Sequence, residues 1–187
     1  MRSRPAFRRV VAALALGITA VTATSANAAP VGERGPKPPA KIVELKGGKG
    51  LKVEANAEGR SLVESNVEVA AATANVCGSG YTISTGAARY STYGTTYTWT
   101  NGTETGSSYY DKPICAVFFN DTGYTRSMGI RLNDNYTSTP ATENFGSFSS
   151  YAGPVYQNRG YCGKAYSYMK VGSQVVVDNY LQVGSCN

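Results

Sequence analysis

Six carboxylates (Glu104, Asp111, Asp121, Asp134, Glu143 and Asp178) and three lysines (Lys112, Lys164 and Lys170) are the groups beyond residue 75 that invite a chemical reading. A carboxylate pair is the minimal apparatus for glycoside hydrolysis. Five of the six fall in turn-like or polar stretches, where carboxylates cap turns or face water. Asp178 alternates with Val177, which assigns it to a solvated sheet face. The lysines stand in no nucleophile motif. Histidine is absent from the chain, which removes Ser-His-Asp and Cys-His nucleophiles and imidazole-ligated metals. No G-x-S-x-G, phosphate-binding loop or dinucleotide fingerprint occurs. These residues point away from an enzyme and imply no cofactor and no metal.

The four cysteines, Cys77, Cys115, Cys162 and Cys186, show no C-x-x-C spacing, so a thiolate metal or redox site is disfavoured. An even number reads as two disulfides if the chain is exported, as its leader, read below, implies. Three pairings are open. The simplest sequential scheme, Cys77 with Cys115 and Cys162 with Cys186, is preferred.

Aromatic residues supply the other candidate chemistry. In "YSTYGTTYTWTNGTETGSSYY", Tyr90 to Tyr110, six of 21 residues are Tyr or Trp. Alternation over Thr95 to Thr100 puts Tyr97 and Trp99 on one face and Thr96, Thr98 and Thr100 on the other. The mature chain is poor in large aliphatics, so Tyr97 and Trp99 are expected in the core. Tyr90, Tyr93, Tyr109 and Tyr110 are then the candidate ligand contacts. Aromatic faces stack on sugar rings while phenol hydroxyls donate hydrogen bonds. The loop "TNGTETGSSYYD" would form the rim.

The elements that must carry these groups begin after two leading segments. Arg2, Arg4, Arg8 and Arg9 precede an apolar run from Val10 to Val21, and Ala26-Asn27-Ala28 supplies a small-x-small cleavage pattern. Residues 1–28 therefore read as a secretory signal peptide, with an apolar run too short to span a bilayer. No membrane insertion is expected. Formal net charge is +6, but four positive charges lie in this leader. The near-neutral remainder offers no basic patch for nucleic acid.

Residues 29–75 contain no aromatic residue and open with the Pro- and charge-rich "PVGERGPKPPAK". Their few large apolar groups do not offset the entropy of ordering the segment alone. They are expected to be a disordered linker or pro-segment, with a short strand or helix admitted near Ser61 to Val69. A second small-x-small site, Ala72-Thr73-Ala74, suggests a later cleavage.

Residues 76–187 read as the folded domain. Short period-2 runs rich in Tyr, Thr and Val alternate with turn residues, the pattern of an all-β antiparallel sandwich or barrel. Strands are expected over Tyr81 to Ser84, Ala87 to Tyr93, Thr95 to Thr100, Ile114 to Asn120, Thr125 to Leu132, Phe145 to Tyr151, Pro154 to Gln157, Tyr161 to Val171 and Ser173 to Val183. Asn133 to Asn144 reads as a polar loop, and Gly153-Pro154 as a strand break. The three Asn-x-Ser/Thr sites, at Asn101, Asn120 and Asn135, read as turn chemistry behind a leader of bacterial form.

Three stretches carry a resemblance: "VCGSGY" (Val76 to Tyr81), "ICAVFFND" (Ile114 to Asp121) and "SSYAGPVYQNRGYCGKA" (Ser149 to Ala165). Together they resemble the spore-associated protein A family, small secreted proteins of filamentous soil bacteria. The likeness covers most of residues 76–187 and none of the segment before them. It implies export and association with the spore or cell surface, with cell-wall or spore-surface polymer as partner, and it implies no catalytic residue. The expected function is thus that of a secreted, non-enzymatic structural or interaction protein. Its alternatives are a polysaccharide-binding module and a proteinaceous inhibitor of an extracellular hydrolase, presented by the loops 101–113 and 133–144. No oligomeric state follows from the sequence.

Overall fold

The computed structural model describes residues 41–184 and 186. Two short strands, β1 (Val43–Glu44) and β2 (Lys52–Val53), lead into helices α1 (Ala57–Ser65) and α2 (Val67–Cys77). Eight strands follow: β3 (Ile83–Tyr90), β4 (Gly94–Thr100), β5 (Ile114–Asn120), β6 (Arg126–Asn133), β7 (Thr142–Phe148), β8 (Tyr151–Gln157), β9 (Lys164–Val171) and β10 (Gln174–Gln182). The first sheet has the order β1-β2-β3-β4-β5-β8 and the second the order β10-β9-β6-β7. The sheets remain open, so the sandwich is realised and the barrel is not. All pairings are antiparallel except β2 with β3, which is parallel.

The strand from Ile114 to Asn120 lies where the sequence places it. Elsewhere the differences are local. The expected strands before and after Gly86 are one strand, β3, with a register shift between Ser84 and Gly86. Pro154 does not end a strand, because β8 continues through a cis Gly153–Pro154 peptide at the edge of its sheet. An edge strand tolerates a proline, since no ladder donor is lost on the solvent side. The polar stretch after Asn133 gives way to β7 at Thr142, three residues before the expected start.

The larger correction concerns residues 41–75. They are folded on the first sheet, while residues 1–40, including the leader, lie outside the described residues. Asn56 caps α1, its Oδ1 accepting from Gly59 N at 2.8 Å. Gly59 is itself a contact point: a Cβ there would sit 3.0 Å from Ala87 N, so a larger residue would press α1 away from β3 by a few tenths of an ångström. Val53, Ala55, Val63, Ala70 and Ala74 are buried with Tyr97, Trp99, Cys115 and Val117 in one apolar cluster. The segment is poor in large side chains because the sheet supplies them. Small residues on the helices fill the space around two large rings. The Ala72-Thr73-Ala74 site is internal to α2, with Thr73 and Ala74 buried, so a protease meets it only after the helix opens.

Tyr97 and Trp99 are core residues, as expected, with none of their surface exposed. Their neighbours depart from a half-buried sheet, for every residue of β4 is buried. Tyr97 and Trp99 face the helical layer. Thr96 and Thr98 lie on the other side, between the sheets, where Thr96 Oγ1 is 2.6 Å from Ser167 Oγ of β9. There Thr85 Oγ1 also donates to Thr98 Oγ1 at 2.9 Å. Hydroxyl pairing satisfies groups that would otherwise be costly to bury. The inter-sheet cluster is completed by Ile114, Ala116, Phe118, Met128, Ile130, Leu132, Met169 and Val177.

Both disulfides follow the sequential scheme, Cys77–Cys115 and Cys162–Cys186, and no free cysteine remains among the described residues. The first ties the end of α2 to β5. No helix among the described residues is long and apolar enough to cross a membrane.

Candidate functional site

The four tyrosines singled out from the sequence do not form one face. Tyr90 and Tyr93 flank the β3–β4 hairpin, whereas Tyr109 and Tyr110 sit in the loop at the far end of β4. Seven residues of strand separate the pairs by roughly 20 Å. All four are half-buried and pack against the inter-sheet cluster. Tyr90 sets its ring edge-on to Phe118 at 5.9 Å. Tyr109 and Tyr110 pack on each other and on Tyr161, with ring centroids 5.5–6.0 Å apart.

Beneath this aromatic group lies a buried polar cluster. Glu54, which follows β2, is fully buried and accepts from the Tyr109 hydroxyl at 2.7 Å. The Lys112 ammonium lies 3.4 Å from the centre of the Tyr109 ring and 4.9 Å from that of Tyr161. Asp111 is buried beside it and accepts from the Tyr136 hydroxyl at 2.8 Å, which holds its carboxyl below the usual range. Asn135 donates to the Tyr110 carbonyl at 2.7 Å and accepts from Cys162 N at 2.7 Å. These contacts lace the loops 101–113 and 133–141 to each other and to the core.

Four further carboxylates carry hydrogen-bond partners. Asp121 accepts from Thr95, Asp134 from the backbone of Tyr136, Glu143 from Arg131 and Asp178 from Tyr166. Among the described residues no group of three or more Cys, Asp or Glu is placed to hold a metal ion.

Burial of the phenols gives this domain an alkaline limit. An unfolded chain releases phenolic protons near pH 10. Folded Tyr97 is pushed up to about 12 by its burial. Tyr109 and Tyr161 are also raised, by burial first and then by the Glu54 carboxylate beside them. The folded state therefore holds more protons than the unfolded state above pH 10, and stability falls as pH rises from 10 towards 12. Lys112, lowered by burial, acts in the opposite sense, but as one group against three. The melting temperature is expected to fall over this window together with a step in tyrosinate absorbance at 295 nm. Gradual ionisation of all tyrosines near pH 10 without unfolding would contradict it.

A ring platform does exist, on residues that the sequence argument passed over. The helices cover the outer face of the first sheet, but nothing among the described residues covers that of the second. Along β9 the side chains alternate, with Ala165, Ser167 and Met169 buried and Tyr166 and Tyr168 facing out. The ladder aligns Tyr180 of β10 with Tyr166 and Arg131, and aligns Tyr168 with Gly129 and Phe145 of β7. Tyr180 is 62% and Phe145 41% exposed. Successive ring centroids lie 4.9 Å (Tyr180–Tyr166), 6.4 Å (Tyr166–Phe145) and 6.3 Å (Phe145–Tyr168) apart.

No protein-family model, curated protein or solved structure matches this chain.

Several contacts position the platform. The Phe145 ring packs over Gly129, where a Cβ would stand 2.0 Å from Phe145 Cδ1, so any side chain at 129 would displace the ring. The Arg131 guanidinium sits 5.5 Å from the Phe145 ring and 5.7 Å from that of Tyr166. It also donates through Nε to Glu143 at 2.6 Å. The Tyr166 hydroxyl donates to Asp178 at 2.8 Å. Desolvation and then this bond push the Tyr166 phenol up to about 12. Sequence reasoning drew strands through all of these residues except Glu143, which it left in the polar loop 133–144. It missed the site because alternation says which residues share a strand face, but not which sheet faces are later covered.

Proposed function

We propose that this is a secreted, non-enzymatic protein that attaches to a polymer of the cell wall or spore surface by stacking sugar rings on the outer face of its second sheet. The observation that carries the reading is the uncovered platform of Tyr166, Tyr168, Tyr180 and Phe145, fringed by Arg131, Glu143 and Asp178. Apolar ring faces with polar groups at their edges match a carbohydrate, which is apolar on its C–H faces and polar around its rim. The two disulfides fit an oxidising compartment. The resemblance to spore-associated protein A, resting on its three motifs, agrees in kind. An inhibitor loop has less support, because Asp111 and Lys112 of the loop 101–113 are buried and Tyr136 of the other loop is bound to Asp111.

Co-sedimentation tests the reading. The oxidised chain, retaining residues 41–187, is mixed with washed spores, mycelial walls, chitin and cellulose. Binding to at least one is expected, and Phe145→Ala, Tyr166→Ala and Tyr180→Ala together should weaken it about 30-fold or more, at ~2 kcal/mol or above for loss of such anchors. Stability should change little, since the rings are partly or largely exposed. Wild-type protein remaining in every supernatant would refute it.

A further inference from the structure

We infer that the platform takes a single, uncharged, extended glycan chain, lying across the strands from β10 to β7 and covering about three sugar units, rather than the face of a crystalline polymer. The inference rests on the proposed polysaccharide-binding reading and gives it a ligand class.

Direction comes from the ladder. Tyr180, Tyr166 and Phe145 step from one edge strand to the other, with centroid separations of 4.9 and 6.4 Å. A pyranose ring is close in width to a phenol ring, so each aromatic serves one sugar. Tyr168 lies beside this line, 6.3 Å from Phe145, and widens its β7 end.

Ring tilt decides between a free chain and a crystal surface. Tyr180 and Tyr166 are inclined by 41°, and Tyr166 and Phe145 by 34°. A plane that lies flat on one of these rings meets the next at a steep angle. A flat polymer crystal therefore satisfies one ring at a time. A single chain can rotate about each glycosidic bond and follow the twist that the sheet imposes. A β-1,4-linked chain is extended and sets successive units along a line that can follow the row of rings, whereas an α-1,4-linked chain coils and carries its units away from it.

Charge and area exclude two other occupants. Arg131 is paired with Glu143, and Asp178 keeps its negative charge while accepting from the neutral Tyr166 hydroxyl, with Lys164 and Lys170 on the same face only at the two ends of β9, beyond the row of rings. A polyanion would have to break the Arg131–Glu143 pair. With the Phe145 ring over Gly129 of β6, the rings cover about two inter-strand gaps and two side-chain rows, on the order of 150 Å². A stable protein interface takes about 800 Å² per partner. The patch is the size of a short oligosaccharide and not of a second copy of this chain.

The test is calorimetric titration of the oxidised chain, residues 41–187, with cello-, chito- and malto-oligosaccharides of one to six units. Pull-down on amorphous and on microcrystalline cellulose runs alongside. For at least one β-linked series, affinity should rise about three- to tenfold per added unit and level off at about three. Amorphous polymer should be bound in preference to crystalline, with little dependence on salt. Phe145→Ala should move the plateau from three units to two, a readout that mere loss of stability would not produce. Preference for crystalline polymer, a plateau at one unit, equal affinity for α-linked chains, or binding to a polyanion that salt abolishes would overturn the inference while leaving a glycan site standing. Absence of binding to any glycan, soluble or insoluble, would remove the proposed function as well. Self-association abolished by Phe145→Ala would assign the face to a second copy instead.

Discussion

A chain that begins at Val76 does not fold into a stable domain. Residues 41–75 look dispensable on composition, yet they contribute Val53, Ala55, Val63, Ala70 and Ala74 to the cluster that encloses Tyr97 and Trp99. Two such rings bury roughly 400 Å². At about 25 cal/mol per Å² their exposure costs ~10 kcal/mol as an upper bound. That is comparable with the whole stability of a small domain, about 5–15 kcal/mol. Cys77 also loses the helix that presents it to Cys115. The expected result is a red-shifted Trp99 emission and no cooperative urea transition for residues 76–187, against a sharp transition for residues 41–187. Val63→Asp in the longer chain, which puts an unpaired carboxylate at a fully buried position, should cost about 3 kcal/mol or more. A truncated domain with a blue-shifted tryptophan and a cooperative melt would show that the helical layer is an accessory.

Loss of the Cys77–Cys115 bridge should be the next largest effect. It closes a separation of 38 residues and joins the helical layer to β5, the strand next to the β8 edge of the first sheet. On the loop-entropy model this stabilises by about 4 kcal/mol. The Cys162–Cys186 bridge closes 24 residues and is worth slightly less, about 3.5 kcal/mol. Cys115 and Cys77 are buried, so alanines at both sites also leave unfilled volume. Urea titrations of the two double-alanine variants should rank Cys77→Ala/Cys115→Ala as the less stable. A midpoint within ~1 kcal/mol of wild type for that variant would show that packing alone holds α2 on the sheet.

The inward turn of Tyr97 and Trp99 was legible because it rests on a rule local in sequence, period-2 alternation in a strand. The strand from Ile114 to Asn120 stood out for the same reason, as an apolar run stopped by Asp-Thr-Gly. An even cysteine count announced two disulfides, but the choice among three pairings fell to the fold, which adopts the preferred sequential scheme. Folding of 41–75 was not legible. Its apolar residues are small, and an entropy argument made for the segment alone omits the rings that Tyr97 and Trp99 offer it. The grouping of the candidate ligand contacts has a related origin. Tyr90, Tyr93, Tyr109 and Tyr110 are dense in sequence, and density was taken for a face. Tyr166, Tyr168, Tyr180 and Phe145 are scattered over three strands and become neighbours only in the ladder.

The sequence by itself determined an all-β domain, the presence of two disulfides, the lack of imidazole chemistry and the inward set of Tyr97 and Trp99. All of these follow from residue type and short-range periodicity. Tertiary structure alone decided that β4 is buried on both faces, that Glu54 sits under Tyr109 and Tyr161, and that the second sheet keeps an open aromatic face. Those properties depend on which layer covers which surface. Coverage is set by contacts between segments far apart in the chain, and no local pattern encodes it.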